Sequence, residues 1–147
     1  MNPNDNSNAA PPLGNTPPPA ENKKILIVED DQFLREFYQE LLTTEGYSVD
    51  AAADGETGLK KIQDNAFDLI LLDIMLPKKD GLHVLRDNKA APPKVQNGPV
   101  VILTNLGQDT IINQAFDLGA SGYMVKSALN PDQVLNEIHN YLHSVKK

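Results

Sequence analysis

The 147-residue chain contains no cysteine. That absence removes disulfides, thiolate metal sites and a cysteine nucleophile, and it fits a reducing compartment. No apolar run approaches the ~20 residues needed to cross a bilayer. The opening stretch MNPNDNSNAAPPLGNTPPPA lacks both the basic and the apolar segment of a secretory leader. A soluble, cytoplasmic protein without membrane insertion is the expectation. Basic residues are also scarce, with 13 Lys and Arg against 20 Asp and Glu and a formal net charge of -7. They form no stripe of the kind a phosphate backbone requires, so direct contact with nucleic acid is not expected. Neither a GxGxxG nor a Walker pattern occurs, which argues against a nucleotide-phosphate loop.

What is present divides at about residue 23. Residues 1–22 are mainly Asn, Pro and Ala and bury too little apolar surface to offset the entropy of ordering, so a disordered tail is expected. Its Pro17–Pro19 tract could serve as a polyproline ligand, although a solvated leader is the simpler reading. The remainder, 23–147, has room for one domain.

From Lys24 onward, five short apolar runs alternate with helical patterns. KILIV is the first run, and DQFLREFYQELLTTEG places Leu34, Phe37, Tyr38, Leu41 and Leu42 on one helical face before Gly46. YSVDAA alternates as a short strand, and Asp54 opens the next helix as an N-cap. FDLILL is the third strand. A helix over Leu82–Ala90, a long Pro-rich loop over Ala91–Gly98, the strand VVILT and a helix over Gln108–Leu118 ending at Gly119 follow. SGYMV is the fifth strand, and Asn130, Pro131 and Gln133 form the N-cap, first turn and capping box of the last helix. Such alternation implies right-handed crossovers and a doubly wound α/β domain with a parallel sheet covered on both faces.

In that architecture all strands point the same way, and the residues after them converge on one edge. Those residues are Glu29, Asp30 and Asp31, then Asp73, Thr104 and Lys126. Several carboxylates at one edge repel one another, and a hard divalent cation relieves the conflict. Mg²⁺ suits an oxygen-only donor set that includes carboxylates and a phosphate oxygen. Asp73 is then a candidate nucleophile, facing water at the tip of a buried strand, with Lys126 as a fixed positive charge and Thr104 as a hydroxyl donor. Taken singly these residues say little, because an Asp after a strand is often a turn former or an N-cap. For Asp31, Asp68 and Asp80 the turn or cap reading is preferred. Their joint occurrence at successive strand ends carries the inference.

The stretches KILIVEDD, DLILLDIMLPKKDGL, VVILTN and LGASGYMVK together resemble the receiver domain of two-component response regulators, from Lys24 to about Val145. The resemblance implies a flavodoxin-like (βα)5 fold with strand order 2-1-3-4-5. It also implies Asp73 as phosphoacceptor, with Glu29, Asp30, Asp73 and the Met75 backbone carbonyl as the Mg²⁺ site. Thr104 and Tyr123 would be the switch hydroxyl and switch aromatic, and Lys126 the phosphoryl-binding lysine. The partners implied are a sensor histidine kinase or phosphotransfer protein and a downstream protein bound through the α4-β5-α5 surface. The molecule would be a monomer or a phosphorylation-dependent dimer. With no output segment following, a stand-alone signalling protein is expected.

Three positions depart from the family pattern. Ser127 follows Lys126 where Pro is usual, Asn105 is larger than the usual residue after the threonine, and the Ala91–Gly98 loop is long. Met75 and Leu106 are apolar and flank the site, so neither can position an attacking water, and a long-lived phosphoryl group is expected. Three rival functions are weighed. An aspartate-nucleophile phosphatase would carry a second Asp where Met75 stands, and a flavodoxin-like cofactor binder would not place Glu29-Asp30-Asp31 at its phosphate loop. A non-phosphorylated scaffold would not need the full residue set. His139 and His143 are spaced i,i+4, as in zinc sites, but have no third ligand nearby. They and His83 are expected at exposed positions.

Overall fold

The computed structural model describes residues 23–105, 109–127 and 130–144. The expected disordered tail, its Pro17–Pro19 tract, Leu106, Gln108 and the chain after Ser144 lie outside these residues. The elements are β1 (Lys24–Val28), α1 (Gln32–Thr44), β2 (Ser48–Ala52), α2 (Gly55–Asp64), β3 (Leu69–Asp73), α3 (Gly81–Ala90), β4 (Val100–Thr104), α4 (Asp109–Asp117), β5 (Gly122–Val125) and α5 (Pro131–Ser144).

All strand pairs are parallel, in the order β2-β1-β3-β4-β5. The apolar runs pair in register, with Val28 opposite Leu72, Leu72 opposite Ile102 and Thr104 opposite Val125. Because side chains alternate along a strand, each run feeds two cores. Leu26, Val28, Ile70, Leu72 and Ile102 pack with Ile62 of α2, Val84 and Leu85 of α3 and Ala115 of α4. Ile25, Ile27, Leu69, Leu71, Val101 and Leu103 pack on the other side with Tyr38 and Leu42 of α1 and Val134, Ile138 and Leu142 of α5. Each fully buried aliphatic side chain contributes about 1.5–3 kcal/mol by leaving water. The central strands β1, β3 and β4 are therefore the rigid base of whatever stands at their ends.

Short polar side chains start the helices as the sequence predicts. The carboxylates of Asp31, Asp54 and Asp80 accept from the backbone N–H of Leu34, Thr57 and His83. Asn130 and Gln133 exchange hydrogen bonds at 2.9 Å in each direction. Gly46 and Gly119 follow α1 and α4 with φ of 99° and 108°, values that favour glycine.

The loop before β4 is anchored at both ends, by Gln63 Nε2 donating to the Ala91 carbonyl at 2.7 Å and by the Gly98 N–H donating to the Phe67 carbonyl at 2.7 Å. The Phe67 N–H donates to Asn97 Oδ1 at 2.6 Å, and Asn97 Nδ2 donates to the Ile62 carbonyl at 2.9 Å. The Asn97 amide thus adds a tie from this stretch to the end of α2 and the residues before β3, and α3 ends at Ala90. No described peptide bond is cis, including the one between Lys126 and Ser127.

Candidate functional site

The hydrogen-bond ladders run one residue beyond β1 and β5. The Glu29 N–H donates to the Ala52 carbonyl at 3.0 Å, and the Lys126 N–H donates to the Thr104 carbonyl at 2.8 Å. Both side chains are thereby aimed along the sheet edge toward β3, between them in strand order. Glu29 is fully buried, whereas Asp30, one residue on, turns out to solvent.

The Lys126 ammonium donates to Glu29 Oε1 and to Asp73 Oδ2, each at 2.9 Å. This corrects the expectation that Asp73 faces water: it is 3% exposed. Its charge is compensated by a cation delivered from two strands away, a partner that local sequence around Asp73 does not reveal. The free Asp73 oxygen accepts weakly from the Met75 N–H at 3.3 Å, and the second Glu29 oxygen accepts from the Asp31 N–H at 3.0 Å. Gly81 packs so closely behind the strand end that a Cβ there would lie 2.4 Å from the Asp73 carbonyl oxygen.

Burial pushes the Glu29 carboxyl above its ordinary range. The bonds from Lys126 and the Asp31 N–H oppose that shift, and the negative charge of Asp73 reinforces it. Burial alone would lower Lys126, but its hydrogen bonds to Glu29 and Asp73 outweigh this and hold the ammonium above the usual lysine range. The trio is therefore a protonated lysine between two buried carboxyl groups. Buried Tyr38 on α1 also senses the cluster. Burial first, then the charge of Glu29, pushes its phenol upward and keeps it neutral.

Carboxylate oxygens of Glu29, Asp30 and Asp73 lie within 4.8 Å of one another. They border a cleft of about 610 Å³ shared with Asp31, Met75 and Lys126. A smaller recess of about 90 Å³ opens between Asp73, Met75, Thr104 and Asn105. The three clustered carboxylates are hard oxygen donors, a set that fits Mg²⁺.

Not every predicted site residue converges. The Thr104 hydroxyl is buried but donates to the Asn105 carbonyl at 2.9 Å, so it is occupied away from Asp73. Tyr123 stands on edge strand β5, 44% exposed, with its ring edge-to-face against Phe116 at 6.5 Å. The Met75 side chain is 70% exposed at the rim. Asp31 and Asp80 are helix caps, in keeping with the turn and cap reading, whereas Asp68 accepts from the Lys24 N–H at 2.8 Å, a bond to the neighbouring strand β1 rather than a local turn or cap. Sequence reasoning missed Arg35. Its guanidinium donates to the carbonyls of Glu29 at 2.9 Å and Asp30 at 3.2 Å, clamping the acidic loop. Its place one helical turn beyond cap Asp31 puts the side chain within reach of the strand end, a contact that the spacing permits but does not single out.

Comparison with known proteins decides the family. Residues 25–139 match the model described as the response regulator receiver domain. The chain belongs to the response regulator receiver domain family. Among curated relatives, the transcriptional regulatory protein DltR of Streptococcus agalactiae is 41% identical over 115 residues, covering 78% of this chain and 50% of DltR. The response regulator ArlR of Staphylococcus saprophyticus is 42% identical over 103 residues, covering 70% of this chain and 45% of ArlR. The chain spans about half the length of these curated relatives. A CheY-like receiver domain from Methanospirillum hungatei superposes with a TM-score of 0.73 at 32% identity, over 82% of this chain and 94% of that one.

The receiver domain has the strand order the resemblance implied, and its family is a signalling switch rather than a conventional enzyme. The phosphatase and cofactor-binding readings have no support from these matches. Among the described residues no helix is long and apolar enough to cross a membrane. The expectation of no nucleic-acid contact is not upheld, since DltR is named a transcriptional regulatory protein. The acidic charge of this chain speaks only for its own surface.

Proposed function

We propose that this receiver domain accepts a phosphoryl group on Asp73 from the phosphohistidine of a sensor histidine kinase or phosphotransfer protein, and so alters a protein-binding surface. The observation that carries this reading is the Lys126 ammonium held at 2.9 Å from both Glu29 and Asp73. A carboxylate attacks phosphorus well only when the charge of the incoming group is neutralised, and Lys126 supplies a fixed cation at the attacking oxygen's own carboxylate. In the step, an Asp73 oxygen forms a bond to phosphorus while the donor P–N bond breaks and the electron pair leaves with the imidazole.

Glu29, Asp30 and Asp73, with the Met75 backbone carbonyl, would hold Mg²⁺. When bound, that ion would supply further neutralisation of the transferred group. Lys126 then moves from bridging two carboxylates to pairing with phosphoryl oxygen. Thr104 exchanges the Asn105 carbonyl for a phosphoryl oxygen, a rotation about one side-chain bond. Tyr123 follows inward from its half-exposed position, and α4, β5 and α5 change the face they offer to a protein partner or a second copy. The added charge of about -1.5 to -2 is the input to this two-state element.

Intact-mass spectrometry after treatment with acetyl phosphate tests the reading. One added phosphoryl group is expected in the presence of Mg²⁺, little in chelator, and none in Asp73→Asn. Equal labelling of Asp73→Asn would overturn it.

A further inference from the structure

We propose that His139 and His143 form a chelating site for a divalent transition-metal ion of the zinc and copper class, separate from the acidic cleft. The two residues lie one turn apart on the same face of α5. Their ring centroids are 4.1 Å apart, with planes inclined by 43°, so both imidazoles already share one small volume. His143 Nδ1 lies 3.0 Å from the His139 carbonyl oxygen. A carbonyl only accepts, so in this contact Nδ1 carries the proton, and in the neutral ring the coordinating lone pair is on Nε2. A metal-binding imidazole is typically oriented in this way, with its other nitrogen donating to a carbonyl or carboxylate.

The location and the chemistry agree. The pair occupies the C-terminal half of α5, where the helix dipole favours positive charge. Imidazole nitrogen suits zinc, copper and nickel, whereas the carboxylates of Glu29, Asp30 and Asp73 suit Mg²⁺. One chain can therefore sort two kinds of ion between two sites. Two imidazoles fill half of zinc's usual four positions, so the site is open and exchangeable, with water or the same pair from a second copy completing it. That pairing would place the ion on α5, an element of the surface proposed to change with phosphorylation.

The test uses the full chain in excess Mg²⁺, added to fill the site proposed for it in the acidic cleft, with Zn²⁺ or Cu²⁺ titrated in. Proton NMR of the histidine rings should show Cu²⁺ broadening His139 and His143 before His83. Calorimetry should show Zn²⁺ affinity falling about tenfold or more in His139→Gln or His143→Gln. Labelling by acetyl phosphate should be unchanged in both variants, which separates this site from Asp73. Equal Zn²⁺ binding by wild type and the double glutamine variant, or broadening confined to His83, would overturn the proposal. His143 is exposed and His139 half-buried, less exposed than expected, and circular dichroism should confirm that the variants fold normally.

Discussion

Replacing Lys126 with methionine keeps the length of the aliphatic stem and removes the charge that two buried carboxylates share. The Glu29 and Asp73 side chains are 1% and 4% exposed and that of Lys126 is 12% exposed, so water screens little of the interaction. Removing one partner of a buried ion pair costs about 3–5 kcal/mol. Here a stranded acid can instead take up a proton, at about 1.4 kcal/mol for each pH unit between its pKa and the solution. This relief holds the expected loss near the lower bound, about 3 kcal/mol at pH 7, against a typical total of about 5–15 kcal/mol. The sign with pH follows from the shifts. The folded Lys126 pKa is raised, so its contribution is complete below the ordinary lysine value and is lost only as pH rises through the folded one. The folded Glu29 pKa is also raised, so folding favours its protonated form. Stability from this group is greatest below pH 4.5 and declines as pH climbs through the folded value. The variant should therefore approach wild type at pH 4 and fall away from it toward pH 7. Mg²⁺ should bind the variant more tightly and return part of the loss, since a ligand at 100 times its Kd contributes about 2.7 kcal/mol. Urea unfolding followed by circular dichroism, at both pH values with and without Mg²⁺, measures all of this. A loss under about 1 kcal/mol at pH 7 without metal would refute the buried-pair reasoning, as would equal stabilisation of both proteins by Mg²⁺.

Gly81→Ala should cost about 1–3 kcal/mol by overpacking, because its Cβ would meet backbone at 2.4 Å and 2.9 Å; it should also slow labelling of Asp73, and urea titration with intact-mass kinetics would check both. Asp54→Ala should cost about 1 kcal/mol by uncapping α2. The Thr57 N–H holds the Asp54 carboxyl below its usual range, so this contribution exists above pH 3.8 and is lost as pH falls through the folded value; the deficit of the variant should close in acid, and a thermal scan at pH 2.5 and pH 7 reads it. The phosphorylated protein should decay slowly, since the Met75 side chain at the rim cannot position water; a half-life of seconds, measured by intact mass over time, would contradict this.

How far the sequence carries the account is plain at particular residues. The strands were legible because runs such as KILIV and VVILT are buried on both faces, and parallel central strands leave few readings for a five-residue aliphatic run. The caps at Asp31, Asp54 and Asn130 were legible because they act within one helical turn. Glu29, Asp73 and Lys126 were legible as a set because the topology gathers strand ends. The burial of Asp73 was not, since its cation comes from 53 residues away. Nor was the state of the switch residues: whether the Thr104 hydroxyl meets the Asn105 carbonyl or another group is a choice of rotamer, and strand pattern is silent on it. Arg35 was overlooked because an arginine on an exposed helix normally marks solvent, and only the fold turns it onto the acidic loop.

The most direct test of the central claim locates the acceptor atom. Borohydride reduction of the protein after acetyl phosphate and Mg²⁺ treatment converts an aspartyl phosphate to homoserine, which peptide sequencing by mass spectrometry places. The account predicts homoserine at position 73, and its loss when Lys126 is replaced by methionine. Homoserine at position 30 or 68 instead, or undiminished yield at 73 without Lys126, would contradict it.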